Sequence, residues 1–513
     1  MQNDNNVNSS SSSSSKSPYS LSDPNPSLID ENGNLVNDIS KAATITTYRN
    51  GTIADGISKL ILVVYSNNEL QFSINGKEPD NLTNGTLSSL SQSNVDKLSS
   101  TAKVNSEDIG NVRSVVAAVY TPPDSFNQDT GSNRTINVNV SNPDNPYASV
   151  PLVIPIQLHR APVVLIHGVW TNSEQTWAST AWETTDCNKT PFTKRLDDHG
   201  FNYAFADYEE HNSESFDPYK KITIGNKPFE NYGINATRNA IHRILKMYHY
   251  FSIAASQVDI VAHSMGGLMA RGFVQQPDYK GKENYMKGSI HRLITIGTPH
   301  FGGHLSKFLY EHRDDWYCLD GIQITPARTC KVQPKKLRTI YADNYKTPID
   351  KGAVEALIPK SDAYSHLYQT NVKSYAIAGS WKPNANDSHE SQKRDYRVIT
   401  DDLAFNLDGK DSFNDENDLV VSVTSQLGGL GGFPYQIRQA ETNNPPNEEN
   451  IPNKSAVYPN TVHASIMIKD GKEVFSETYS PYIQRHVIAL LKSSDNNKFA
   501  NAIGIGSPCH HLK

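Results

Sequence analysis

The stretch QVDIVAHSMGGLMAR, residues 257–271, decides how this chain folds. An apolar run of strand length ends on a polar residue, Ser264, and two glycines follow before an amphipathic segment begins. A residue that carries the chain from strand directly into helix sits on a strained turn, and only small neighbours let the flanking backbones approach. Ala262 and Gly266, two positions to either side of Ser264, meet that demand, although glycine is the usual residue at the first of them. The expectation is a nucleophilic serine raised on a sharp turn; the competing reading is a chance five-residue match.

A serine hydroxyl is a poor nucleophile, so a base must take its proton and an acid must orient the base, in chain order serine, acid, histidine. For the base, His463 in NTVHASIMI lies on the loop expected before the last strand, about 20 residues ahead of the closing helix. His486 inside that helix and His510 and His511 at the end read as surface residues. His263 should point away from its neighbour Ser264, and His300 should line the cleft after the next strand. For the acid, Asp418 stands before LVVSVTSQ, an apolar run expected to carry it to the carboxyl edge of a sheet; Asp387 is the runner-up. An oxyanion hole needs two free backbone amides. Met265 follows the nucleophile, and Val169 follows His167-Gly168 in PVVLIHGVW, so these two amides are the candidates.

With 513 residues and 37% hydrophobic content the chain is globular and long enough for several domains. Lys and Arg number 48 against 54 Asp and Glu, and a formal charge of -6 gives no reason to expect nucleic acid as a partner. Its apolar runs, such as LILVVY (60–65) and PVVLI (162–166), fall far short of the roughly 20 residues of a membrane span.

Residues 1–37 begin with MQNDNNVNSSSSSSSKSPYS, which has no apolar signal core and reads as a flexible tether of the kind that follows an export signal. Residues 38–158 carry short apolar runs separated by turn-formers, TITTYRN, KLILVVYS, ELQFSI, VRSVVAAVY, RTINVNVS and PLVIPIQL, the pattern of a β-sandwich, and NGTIADGISKLILVVY within them resembles the opening strands of bacterial Ig-like modules. From 159 to 495 strands alternate with amphipathic helices, which predicts an α/β fold with a mostly parallel sheet covered on both faces. Within it, residues 304–372 exceed what the sheet needs and read as a cap or lid, rich in Phe308, Leu309, Tyr310, Trp316 and Tyr317. Such residues line an acyl cleft or form a small core of their own. Cys318 and Cys330 enclose a short loop that a disulfide would staple, the alternative being two buried thiols. Residues 496–513 form a tail.

Taken in order, PVVLIHGVW, VDIVAHSMGGLMAR, LITIGTPHFGG and NDLVVSVTSQLGG make residues 160–495 resemble the α/β-hydrolase superfamily, and within it the secreted bacterial lipases and esterases. The resemblance implies Ser264, Asp418 and His463 as a catalytic triad, Val169 and Met265 as oxyanion donors, hydrolysis of a carboxylic ester through an acyl-enzyme, and a secreted or cell-surface location. Leu419 stands where such enzymes commonly carry glycine after the acid. No metal or cofactor takes part in this chemistry. Some relatives hold a structural calcium near the acid, and DGKDSFNDEND (408–418) offers oxygen ligands, without the EF-hand spacing. The partner expected is an ester or lipid, with contact to a lipid surface through the lid. A phospholipase or acyltransferase would use the same triad; a surface adhesion protein with an inactive hydrolase domain is the reading from another class.

Overall fold

The computed structural model describes residues 19–43, 45, 47–74, 81–90, 101–104, 107–108, 114–126, 131–144, 151–178, 190–219, 222–224, 227–229, 231–320, 323–327, 332–345, 348–380, 418, 420–430, 452–459, 461–463, 466–467, 473–474 and 476–504. Its centre is a six-stranded sheet: β1 (Val163–Ile166), β2 (Tyr203–Ala206), β3 (Val258–His263), β4 (Ile290–Ile296), β5 (Lys373–Ser380) and β6 (Ser455–Pro459). Spatial order is β2-β1-β3-β4-β5-β6, and every neighbouring pair is parallel. Parallel strands need crossover connections, which place helices on both faces and bury the strands twice over. That is why VVLI, VDIVAH and IHRLITI are buried at every position, polar residues included.

Three long helices cover the sheet. Helix α1 (Tyr232–Tyr250) buries Ile234, Thr237, Ala240, Ile241, Ile244 and Tyr248 on one face, and Asn231 caps it by accepting the amides of Gly233 and Ile234. Helix α2 (Gly266–Val274) leaves β3 through Ser264, and α3 (Pro481–Lys492) packs Ile483, Val487, Leu490 and Leu491 against the opposite face. Because β1 lies beside β3 while the chain between them visits β2, the strand order reverses at the carboxyl ends of β1 and β3. In open α/β sheets this reversal opens a crevice where ligands bind.

The amino-terminal part is a sandwich of two sheets. One runs Tyr19–Ser22, Leu60–Tyr65, Ser114–Thr121, Thr86–Ser89; the other runs Ile253–Ala254, Gly51–Ile53, Leu152–His159, Asn133–Ser141, Leu70–Ile74, Thr101–Val104. Leu60, Leu62, Phe72, Val116, Ile136, Val138, Ile154 and Ile156 fill the space between them. Two findings correct the expected boundaries. Residues 19–37 are not a tether, since Tyr19–Ser22 pairs with Leu60–Tyr65, and Leu28 with Ile39 covers the outer face of that sheet at Ile61, Val63, Val115 and Ala117. Burial on both faces accounts for the uninterrupted run LILVV, with Tyr65 after it exposed. Nor is the sandwich closed by its own residues: Ile253–Ala254, just after α1, adds to its edge beside Gly51–Ile53. TITTYRN forms no strand among the described residues; the strand begins at Gly51.

Residues 304–372, between β4 and β5, hold the helices His304–Glu311, Leu337–Tyr345, Ala353–Ala356 and Asp362–Ser365 and a small three-stranded sheet. They have a core of their own in Phe308, Leu309, Leu337, Ile340, Tyr341, Ile349 and Val354. Cys318 is disulfide-bonded, and Cys330 lies outside the described residues. Among the described residues, no helix is long and apolar enough to cross a membrane.

Candidate active site

Ser264 sits at the carboxyl end of β3 with φ 55, in the left-handed region. A non-glycine residue there costs about 1–3 kcal/mol and persists where the surroundings enforce it. Close packing does the enforcing. A Cβ on Gly266 would meet the carbonyl oxygens of His167 at 2.5 Å and Ile166 at 2.7 Å, so the first turn of α2 rests directly on the end of β1. From the other side a Cβ on Gly168 would lie 2.5 Å from the Ser264 Cβ, which shows how tightly the HG loop passes the hydroxyl. Neither Val169 nor Met265 donates its amide to a hydrogen bond among the described residues. Next to Val169, Trp170 also takes positive φ (59°), and its exposed ring leans on Tyr341 of the insertion, centroids 5.8 Å apart.

The structure brings the two distant candidates to this serine. His463 Nε2 lies 2.8 Å from Ser264 Oγ, and His463 Nδ1 lies 2.7 Å from Asp418 Oδ2. Asp418 Oδ1 accepts the amides of Val420 and Val421, and its carbonyl accepts the amide of His463, so acid and imidazole are joined through backbone as well as side chain. Ser264, His463 and Asp418 are 5%, 7% and 0% exposed. Burial raises the Asp418 carboxyl above its ordinary range. Burial would lower His463, but the Asp418 carboxylate and then Glu477 outweigh it and hold the imidazole above its ordinary value.

Several local expectations are corrected. LVVSVTSQ forms no strand among the described residues: Asp418 stands in a bend and Val423–Leu427 is a short helix capped by Ser422. Gln426 pins this acid loop to the end of β5, its amide spanning the Gly379 backbone on both sides, Nε2 to the carbonyl at 3.1 Å and Oε1 to the N–H at 2.8 Å. His463 follows β6, the last strand of the main sheet, and the strands after it, Ile466–Met467 and Glu473–Val474, form a separate two-stranded sheet. His263 does not turn away from the site, since its ring lies 4.8 Å from that of His463. His300 is buried against Thr295 and Arg271 instead of lining a cleft, and His486 is fully buried with Nδ1 2.7 Å from the Tyr458 hydroxyl. Asp387, residues 408–417, His510 and His511 lie outside the described residues.

One residue of the site escaped the sequence. Glu477, fully buried in the turn before α3, places Oε2 3.4 Å from His463 Nδ1 and 3.3 Å from His263 Nε2. Nothing in SETYS marks it as different from a surface glutamate.

Strand order, crossovers and the turn at Ser264 define an α/β-hydrolase fold. Residues 157–309 match the family described as PGAP1-like alpha/beta domain, a span that includes Gly168 and Ser264 and ends before Asp418 and His463. The chain resembles the lipases and esterases of that superfamily. Among solved structures it is similar to the Bacillus licheniformis lipase BlEst2 in mature form, at 14% identity over 65% of this chain and 93% of that one, TM-score 0.31. It is similar too to lipase 1 from Pelosinus fermentans, at 15% identity over 64% of this chain and 98% of that one, TM-score 0.31. With phospholipase PlaB from Legionella pneumophila the identity is 15% over 52% of this chain and 45% of that one, TM-score 0.29. No curated protein matches the chain in sequence.

Proposed function

We propose that this protein is a serine carboxylic-ester hydrolase of the lipase and esterase kind. The observation that carries the reading is the continuous chain of contacts from Ser264 Oγ through both nitrogens of His463 to Asp418, at 2.8 Å and 2.7 Å. With its Nδ1 proton donated to Asp418, the imidazole presents Nε2 as acceptor to the serine hydroxyl. Ser264 attacks the ester carbonyl while its proton passes to Nε2, and the tetrahedral oxyanion is held by the amides of Val169 and Met265, which no other group among the described residues occupies. Collapse expels the alcohol with the proton from Nε2 and leaves an acyl-Ser264, which water hydrolyses by the same route. None of these steps calls on a metal or cofactor. The disulfide at Cys318 fits an exported protein, since such bonds persist in oxidising compartments.

Ser264→Ala is expected to abolish turnover of p-nitrophenyl esters and labelling by a fluorophosphonate, with the melting temperature unchanged or raised. Labelling that survives the substitution rules the reading out. A panel of short-chain, long-chain and phospholipid esters offered to the wild-type protein sets the substrate class.

A further inference from the structure

The carboxylate of Glu477 occupies a space made for it. Its Oε1 accepts the Gly379 amide at 2.9 Å, and its own amide donates to the carbonyl of Val462, the residue before His463. A Cβ on Gly297, at the end of β4 with φ 61, would lie 1.8 Å from Glu477 Oε2, and one on Gly379, near the end of β5, 2.7 Å from Oε1. Two adjacent strand ends thus give up side chains where the carboxylate sits. Oε2, by contrast, makes no hydrogen bond among the described residues, and neither ring nitrogen of His263 makes one there. A buried carboxylate oxygen without a donor is costly, so its charge must be balanced by something nearby. Among the described residues, the ionisable groups in contact with it are His263 from β3 and His463 from the loop after β6, with Asp418 close enough to interact electrostatically, and the His463 ring faces Asp418, Glu477, His263 and Ser264. Burial would raise Glu477, but its contacts with the two imidazoles prevail and keep it ionised well below the ordinary carboxylate range.

We propose that Glu477 is a second orienting carboxylate of the His463 imidazole, standing beside Asp418 on Nδ1 and taking over the Nδ1 proton when Asp418 is neutralised. The inference rests on the triad proposed above. In the resting enzyme Asp418, at 2.7 Å, holds the proton and Glu477, at 3.4 Å, adds a second negative charge that favours the imidazolium. A positioning role of this kind has two signatures that a merely structural residue lacks. Removing the charge lowers the pH at which His463 protonates, and the loss of Asp418 is cushioned while Glu477 remains.

The test measures kcat/KM against pH with a p-nitrophenyl ester for the full chain, Glu477→Gln, Asp418→Asn, the double variant and His463→Ala. Gln keeps the length and the acceptor for Gly379 and removes only the charge. Glu477→Gln is expected to move the acid limb to lower pH by about half a unit or more with KM unchanged. Asp418→Asn is expected to retain activity at least about 100-fold above His463→Ala, and the double variant to fall to the His463→Ala level. An unmoved acid limb, or a double variant no worse than Asp418→Asn, overturns the proposal. Should Glu477→Gln fail to fold, the single Asp418→Asn decides: activity equal to that of His463→Ala overturns it. Full activity in His463→Ala would instead sink the triad, a different outcome.

Discussion

Gly168 is the residue whose replacement tests the loop beside Ser264 most directly. A methyl group there would stand 2.5 Å from the Ser264 Cβ and 3.0 Å from its Oγ, so the HG loop has to retreat and carry the Val169 amide with it. Loss of one oxyanion donor slows acyl transfer by about 100-fold or more. Gly168→Ala should therefore lower kcat by that factor in a protein that still folds; an unchanged kcat would remove Val169 from the proposed oxyanion hole. At this scale Ser264 could be read from sequence because its demand is local: small residues at positions 262 and 266 and a strand-to-helix junction. Glu477 could not, since its partners His263 and His463 come from separate parts of the chain and meet it only after the strands are stacked.

The elements that hold the serine are fitted to one another at the backbone. Gly267, in the first turn of α2, faces Thr298 on the loop after β4, where an added Cβ would lie 2.3 Å from Oγ1 and 2.7 Å from Cγ2. Thr298 is fully buried, so it has no slack to turn aside, and its hydroxyl makes no hydrogen bond among the described residues. Gly267→Ala should cost about 1–2 kcal/mol through overpacking, and adding Thr298→Ala should recover most of it by making room. Urea denaturation of the two single variants and the double reads this out, and strictly additive losses would show that the contact is not the cause. Helix α1 was legible because its apolar stripe has helical period. LVVSVTSQ misled, because a short apolar run reads alike as a buried strand or as a turn and short helix packed on the sheet. What buries it is tertiary, the anchoring of Gln426 at Gly379.

Across the whole molecule the sandwich and the hydrolase fold share structure. Ile53 lies in the main hydrolase core, Ala254 lies in the sandwich core, and Thr52 Oγ1 donates to the Ala254 carbonyl. A charged knot fastens the same seam. Asp124 of the sandwich contacts His291 at 3.1 Å, Lys373 at 2.6 Å and Arg292 at 3.9 Å, while the other nitrogen of His291 lies 2.9 Å from Asp259 on β3. Burial disfavours charge on His291, yet the flanking carboxylates prevail and raise its pKa above the ordinary 6.5. Asp124 is held well below the ordinary 3.8, burial being outweighed by His291, Lys373 and Arg292. A raised imidazole contributes stability that is complete below pH 6.5 and fades as pH rises through its folded value; a lowered carboxyl contributes above pH 3.8 and fades as pH falls through its own. The seam is thus tightest in the mildly acidic range. His291→Gln should make the alkaline decline in unfolding free energy shallower, leaving the share that the raised His463 contributes, as followed by urea titration from pH 5 to about 9; a decline parallel to wild type would locate it elsewhere.

Sequence alone determined what depends on neighbours along the chain: the alternation of strand and helix, the turn at Ser264, the glycine beside it and the sandwich pattern of short strands, all set by backbone sterics and by side-chain period. For the distant partners it could supply candidates, His463 and Asp418, and left their meeting open. Only the tertiary structure decided that a second carboxylate stands behind the imidazole, that residues 19–37 pack on the sandwich, and that Ile253–Ala254 completes a sheet begun two hundred positions earlier. Charge balance in a buried site and edge pairing of strands are properties of groups brought together in space, and no spacing along the chain records them.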